Sequence, residues 1–435
     1  MRILAKDLAA AAAGGAAAPV EMCGWVHRLR DMGGLRFLIL RDRSGLAQLV
    51  LEGEADLPLE SAVRVTGTPC LNEKAPGGAE LRVSGIECLS RAAGELPFQV
   101  NGDIAKVGLE AILDQRALSL RSPKIRSIFR VQATIIEAFA AYLRSEDFTE
   151  IKTSKLVASG TEGGTELFRV EYFDRFVYLA QSPQLYKQIM VASGLERVFE
   201  IAPAYRAEKH DTPRHLNEYV SLDVEMGFID SEEDLIALER GLLAHIFEAV
   251  ASRNEADCAV WNQAAPRPEE AEKAPLIPYA EALEIANAEA KKAGGARIFD
   301  INPEAERRVC EWAGRERGSA LVFVNEFPRR YRPFYTYPKG EGPGASTMSF
   351  DALYRGLEIT TGGRRQHDYE ALRAVLPRFG LREESLAGYL AVFKYGAPPH
   401  GGFAIGLERL TQKILGLANV KEASLFPRDR KRTEP

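Results

Sequence analysis

Arg206 and Glu208 stand two residues apart in the run Val198 to Ile229 (VFEIAPAYRAEKHDTPRHLNEYVSLDVEMGFI), where two stretches of alternating polarity flank a polar loop. With the first strand read through Glu208, the spacing puts both side chains on one face. On the return strand Tyr219, Ser221, Asp223 and Glu225 share one face, and Val220, Leu222, Val224 and Met226 share the other. A hairpin apolar on one side and lined with charged, hydrogen-bonding groups on the other is a platform for a polar ligand. The alternative is an amphipathic hairpin whose polar side meets water. Against it, the polar residues are sparse in Lys and rich in Arg, Asp, His and Tyr.

Four further segments set polar groups between apolar ones. Gly160 to Phe168 (GTEGGTELF) presents Glu162 in a glycine-rich loop, which alone reads as a simple turn. Gln181 to Gln188 (QSPQLYKQ) places Gln184 and Lys187 one helical turn apart; alone, Lys187 reads as a surface lysine. Phe350 to Asp368 carries Asp351 and Glu358, two acids suited to Mg²⁺, which takes one or two carboxylates plus phosphate oxygens. The turn Thr360 to Gly363 then delivers Arg364 and Arg365; a polar edge strand and loop is the alternative. Gly401 to Gly416 (GGFAIGLERLTQKILG) reads as a strand running into a helix with Leu407, Leu410 and Ile414 inward. Arg409 falls in that helix's first turn, where it opposes the dipole. An anionic or aromatic partner accounts for it better than helix stability does. Gly406 lets a flat group approach the backbone. The inventory holds no nucleophile–base pair, no P-loop and no His/Cys metal spacing. It fits phosphate chemistry done by positioning and charge neutralisation.

These groups need a sizeable scaffold, and the chain has 435 residues, enough for two or three domains. Hydrophobic content is 46% and charged content 27%, the balance of a soluble globular protein. A net charge of -5 excludes a generally basic nucleic-acid coat, so any such contact comes from local patches. Five scattered cysteines with no CxxC pair point to reduced cytosolic thiols. The alanine-rich start reads as a short helix and loop rather than a signal peptide, and no apolar stretch approaches the roughly 20 residues of a membrane span. The fold class is α+β. Five short strands over 20–89, punctuated by Gly-bearing turns, suit a barrel of the oligonucleotide-binding type, with a small sandwich as the alternative. Residues 93–126 read as a connector. Ile128, Val131, Ile135, Ile136, Phe139 and Leu143 then recur at helical spacing. The polar, Pro-rich segment 256–278 reads as a surface excursion.

Taken in order, these segments resemble the class II aminoacyl-tRNA synthetases, and among them the archaeal-type aspartyl-tRNA synthetases, over nearly the whole chain. The hairpin is similar to the family's motif 2, GLERL to motif 3, and the helix at 127–146 with its following strand to motif 1. The ending FPRDRKRTEP is similar to the family's C-terminus. The resemblance implies an anticodon-reading barrel (1–92), a hinge (93–126) and an antiparallel catalytic sheet flanked by helices (127–435), in a cytoplasmic homodimer with no membrane contact. It implies ATP as substrate, with Mg²⁺ held by Glu358, supported by Asp351 and Thr361. Arg206 would hold the α-phosphate and the aspartate carbonyl, Glu208 the adenine amino group, and Arg214 and His215 the outer phosphates. Arg409 would stack on adenine, with Ala207, Leu216, Gly406, Leu407 and Glu408 completing the nucleotide site. Gln184 and Asp223 would fix the ammonium of L-aspartate, near Glu162 and Thr361, while Lys187 and Arg365 clasp its side-chain carboxylate.

Aspartate and asparagine are nearly isosteric, so charge must separate them. Facing an amide, Lys187 and Arg365 would be buried charges without partners, at a cost of about 3–5 kcal/mol. In the barrel the resemblance implies that Phe37 stacks on an anticodon base while Gln48 and Glu80 read base edges. Arg28, Arg30, Arg36, Arg41 and Arg43 add a basic patch; a core role is the alternative for Phe37. His27 and Pro76 resemble the members that charge both tRNA(Asp) and tRNA(Asn), producing Asp-tRNA(Asn) for a downstream amidotransferase. Ser154, Thr361 and Arg430 depart from the usual proline, serine and proline. Three readings compete with the dual-specificity one: a discriminating aspartyl enzyme, an asparaginyl-tRNA synthetase, and a tRNA-independent AMP-forming ligase. A pure nucleic-acid-binding protein would not need Glu358, Arg365 and Arg409 together.

Overall fold

The computed structural model describes residues 2–14, 18–32, 35–53, 56–158, 167–209, 211–342 and 344–434. It divides into two compact units, Met1–Ile125 and Arg126–Pro435. In the first, β1 (Val20–Met32), β2 (Leu35–Arg41), β3 (Leu46–Glu52), β4 (Ala62–Leu71) and β5 (Ala79–Ser90) close into a barrel in the order β1-β2-β3-β5-β4. Alternation does this: Leu38, Leu40, Leu49, Leu51, Val63, Val65 and Leu81 form the buried barrel core, while most of their neighbours lie on the other face, Arg41 and Glu80 being buried there too.

The second unit begins within α1 (Pro123–Ser145), whose helical repeat of Ile128, Val131, Ile135, Phe139 and Leu143 is buried in the main core. Then follow β6 (Thr149–Glu150), α2 (Gln184–Met190), β7 (Arg197–Tyr205) and β8 (Glu218–Gly227). Next come α3 (Glu232–Ala259), started by a Ser231–Asp234 capping box, β9 (Leu276–Pro278), α4 (Pro303–Arg317) and β10 (Leu321–Asn325). The chain closes with β11 (Ser349–Tyr354), β12 (Leu357–Arg364), α5 (Ala387–Phe393), β13 (His400–Gly406) and α6 (Leu407–Leu415). The strands form one sheet in the order β9-β10-β11-β12-β13-β8-β7-β6, antiparallel except at its two edges. Leu222 and Val224 of β8 pack into the core with α1 and α3, which turns the polar side of β8 the other way.

The segment 256–278 departs from the surface excursion its composition predicts. Ala271, Ala274 and Ile277 are buried, and Leu276–Pro278 adds an edge strand parallel to β10. Three residues beside prolines are too short to show a strand period, and proline is tolerated at a sheet edge. Among the described residues, no helix is long and apolar enough to cross a membrane.

Candidate active site

The polar side of β8 opens on a pocket of about 690 Å³, its open mouth included. Tyr219 and Ser221 of β8, Ala404 and Gly406 of β13, and Glu358 and Thr361 of β12 line it. The β7–β8 loop adds Arg206, Glu208, Arg214, His215 and Leu216, and α6 adds Glu408 and Arg409. Of the nucleotide-site residues expected from sequence, only Ala207 and Leu407 do not line it; Leu407 is buried in the core.

The first strand stops at Tyr205, so Arg206 and Glu208 do not share a strand face as their spacing suggests. Asn217 is the cause: its Nδ2 donates to the carbonyls of Arg206 (2.6 Å) and Glu208 (3.0 Å), and its own carbonyl accepts from Arg206 N (2.9 Å). This closes the loop base and still brings Arg206 to 3.9 Å from Glu208. The Arg206 guanidinium lies 5.5 Å from the Tyr219 ring centre, in cation–π range. Farther out, Val420 N donates to Pro213 O (2.9 Å) and Lys421 Nζ reaches Asp211 (2.9 Å), so the C-terminal segment holds the loop. His215 Nδ1 lies 2.6 Å from Thr212 Oγ1.

Arg214 is ion-paired to Glu306 of α4, whose Oε2 also accepts the backbone N–H of Glu358 (3.2 Å). Burial pushes the Glu306 carboxyl up, and Arg214 offsets this only in part. Nothing in the sequence motifs points to Glu306. A register shift between Ala352 and Leu353 sets Glu358 and Thr361 on the same side of β12, where Thr361 Oγ1 donates to Glu358 Oε1 (3.0 Å). Arg409 Nη1 donates to the Glu358 carbonyl (3.1 Å). Asp351 pairs with Thr361 across the strands but is buried and bound to Arg332 (2.8 Å). Burial lifts its carboxyl to about 7, against the pull of Arg332. Glu358, a half-exposed carboxylate beside a hydroxyl on the pocket wall, fits a divalent cation; Asp351 fits a supporting place behind it. Both Glu408 oxygens accept from Val220 N (3.2 and 3.1 Å), which ties α6 to β8, and burial raises that carboxyl to about 7.

Beyond Ser221 the same side of β8 continues into a dry cluster. Lys187 Nζ lies 3.0 Å from Asp223 Oδ1 and 3.3 Å from Glu225 Oε2. Arg365 grips Glu225 with Nε (2.9 Å) and Nη2 (3.2 Å), and Nη2 also donates to Gly402 O (2.9 Å) and Gln184 Oε1 (3.3 Å). Lys187 and Arg365, from elements far apart in sequence, thus converge on one carboxylate. Burial works against ionising Glu225, yet Arg365 and Lys187 outweigh it and hold its carboxyl below the ordinary range. Gly402 makes room: a Cβ there would meet Val224 O at 2.0 Å and Glu225 Oε2 at 2.3 Å. Asp223 Oδ2 and Gln184 Nε2 are buried with no partner, a free acceptor on the partner of Lys187 and a free donor on that of Arg365. The alternation along β8 marks Glu225 only as one of four polar residues on its strand. Glu162 lies outside the described residues.

On the barrel's outer side Phe37 is half-buried, opposite the lumen-facing Leu38. Gln48 Nε2 donates to Glu80 Oε2 (3.0 Å), which also accepts from Asn72 Nδ2 (2.7 Å). His27 is buried with Nδ1 2.8 Å from Arg41, itself doubly bonded to Glu60. Burial, then Arg41, lowers the His27 pKa. Pro76 is exposed at the start of a short turn before β5.

Comparison with known proteins places these features in a family. Residues 108–430 match the model described as tRNA synthetases class II (D, K and N), and residues 20–89 match an OB-fold nucleic acid binding domain. The chain is 49% identical over 436 residues to the aspartate–tRNA(Asp/Asn) ligase of Thermus thermophilus, covering all of both chains. It is 42% identical to the aspartate–tRNA(Asp/Asn) ligase of Methanopyrus kandleri, covering 96% of each. Among solved structures, the asparaginyl-tRNA synthetase from Pyrococcus horikoshii complexed with asparaginyl-adenylate matches with a TM-score of 0.88, at 30% identity and 96% coverage of both chains. A barrel followed by a sheet whose motif residues converge on one pocket, matched along its full length, makes this chain a member of the class II tRNA synthetases of the D, K and N group.

Proposed function

We propose that this chain is an aspartate–tRNA ligase that makes aspartyl-adenylate from ATP and passes the aspartyl group to tRNA(Asp) and tRNA(Asn). The observation that carries it is the meeting of Lys187 and Arg365 on Glu225, next to unpartnered atoms of Asp223 and Gln184. Two buried cations beside a free acceptor and a free donor suit a small molecule with one ammonium and an extra carboxylate. The names of the relatives agree with this reading.

In the first step an oxygen of the aspartate α-carboxylate attacks the α-phosphorus in line, and pyrophosphate leaves. Arg206 on the pocket wall would steady the α-phosphate and the incoming carboxylate. Glu208 would accept from the adenine amino group, Arg409 would stack on the ring, and Arg214 and His215 would meet the outer phosphates. Glu358, with Thr361 beside it and Asp351 behind, would hold Mg²⁺, which when bound neutralises phosphate charge. In the second step a terminal adenosine hydroxyl of the tRNA attacks the mixed anhydride and AMP leaves. No side chain becomes covalently attached; orientation and charge placement supply the rate.

Residues 1–92 would read the anticodon through Phe37, Gln48 and Glu80, with 93–126 as the hinge and 127–435 carrying catalysis. His27, held by Arg41, would tune tRNA choice by shaping its strand rather than by touching a base, and exposed Pro76 by direct contact. Homodimerisation through the segment around α1, a cytoplasmic setting and a downstream amidotransferase complete the proposal. Pyrophosphate exchange with aspartate against asparagine tests the first step. Charging of purified tRNA(Asn) tests dual specificity, and no Asp-tRNA(Asn) product would refute it.

A further inference from the structure

Behind the clamp lies a second polar junction that none of the roles above uses. Gln188 follows Lys187 on α2 and is buried. Its amide lies 2.9 Å from the hydroxyl of Tyr389 on α5 and 3.1 Å from Nε2 of His400 on β13. His400 Nδ1 lies 2.8 Å from Pro398 O, and the His400 carbonyl accepts the backbone N–H of Arg365 (2.8 Å). All three side chains are buried, and both Tyr389 and His400 feel the charges of Glu225 and Arg365. We infer that Gln188 is a positioning residue for amino-acid selection: its amide joins α2, α5 and β13 into one junction that fixes the spacing of Lys187 and Arg365.

The chemistry of the junction supports a fixed geometry. Burial keeps His400 neutral, with its pKa lowered to about 4. A neutral ring that gives Nδ1–H to Pro398 is an acceptor at Nε2, so the amide serves it best with its NH₂ turned toward the ring. A half-turn of the amide leaves its outline unchanged. In the observed orientation Gln188 Oε1 accepts the Tyr389 O–H and Nε2 is buried without a partner; after the half-turn Nε2 has two acceptors, the His400 nitrogen and the Tyr389 oxygen. Lys187 rides on the same helical turn, and Arg365 hangs by its backbone from His400. Loosening the amide therefore lets the two cations move independently.

The inference rests on the aspartate reading, and the experiment separates the two. Full-length Gln188→Met keeps the side-chain length without hydrogen bonds, and Tyr389→Phe removes one hydroxyl. In pyrophosphate exchange, misplacement of the clamp raises the aspartate KM about tenfold or more in Gln188→Met and less in Tyr389→Phe, with the ATP KM unchanged and discrimination against asparagine reduced. A wild-type chain that does not activate aspartate overturns the reading and the inference with it. If the wild type passes, an unchanged aspartate KM in folded Gln188→Met, or a parallel rise for both substrates, overturns the inference alone. Should Gln188→Met fail to fold, Tyr389→Phe decides by the same split.

Discussion

The amino-acid clamp and the nucleotide pocket sit on one strand face and are built on opposite principles. In the clamp the side chains of Lys187, Arg365 and Glu225 are 2%, 7% and 0% exposed, and every charge already has a partner. In the pocket those of Arg206, Arg409 and Glu358 are 42%, 28% and 36% exposed, and the ion pairs are long: Arg206–Glu208 at 3.9 Å and Arg409–Glu358 at 3.7 Å. A dry, internally balanced cluster is pre-formed, so a ligand enters it only by matching donors and acceptors already fixed in place. A wet, arginine-lined pocket is completed by the charge of its ligand. Selectivity thus belongs to the first region and affinity for a polyanion to the second.

The largest effect comes from breaking the clamp. Lys187→Met leaves Asp223 and Glu225 short of a buried cation, at a cost of about 3–5 kcal/mol in urea unfolding. Aspartate-dependent exchange falls by about three orders of magnitude with it. Stability that matches wild type would show that the cluster is not electrostatically closed. The matching change in the pocket is Arg206→Ala. Its guanidinium is half in water, so unfolding stability stays within about 0.5 kcal/mol, while exchange falls about 10²–10³-fold. A variant that loses stability as well would erase the contrast between the two regions. The barrel offers a third and smaller test. Phe37 is half-buried outside the barrel core, so Phe37→Ala lowers kcat/KM for tRNA by about 1–3 kcal/mol and leaves tRNA-independent exchange untouched.

How far the sequence discloses this contrast depends on the range of the interactions. Alternation along β8 separates Asp223 and Glu225 from Leu222 and Val224, and helical spacing pairs Gln184 with Lys187, because both patterns are local. The barrel strands are legible for the same reason. Two features are not. Glu306 reaches Arg214 from a helix 92 residues away, and no spacing rule spans that distance. Arg206 and Glu208 share a pocket through Asn217, whose hydrogen bonds end the strand that their spacing suggests. Glu225 lies between these cases: its face is legible, but its role as the carboxylate that gathers two cations depends on Gly402 leaving space on the next strand.

The last test asks whether pairing or burial sets the clamp's behaviour. Glu225 and Glu239 are both fully buried, in the same unit. Burial pushes each carboxyl up, but Arg365 and Lys187 hold Glu225 below its ordinary value, whereas Glu239, which no ion pair reaches among the described residues, rises to about 8. The signs are opposite. A depressed carboxyl such as Glu225 stabilises the fold above its unfolded pKa, near 4.5, and loses that contribution as pH falls through the folded value. A raised one such as Glu239 contributes fully below about 4.5, and its contribution drains away as pH climbs toward 8. Glu239→Gln, which cannot ionise, should therefore lie within about 1 kcal/mol of wild type in urea unfolding at pH 5 and exceed it at pH 9, by roughly 4 kcal/mol. Parallel stability profiles from pH 5 to 9 would mean that Glu239 is compensated by a charge or water, and that burial without pairing is not what separates it from the clamp.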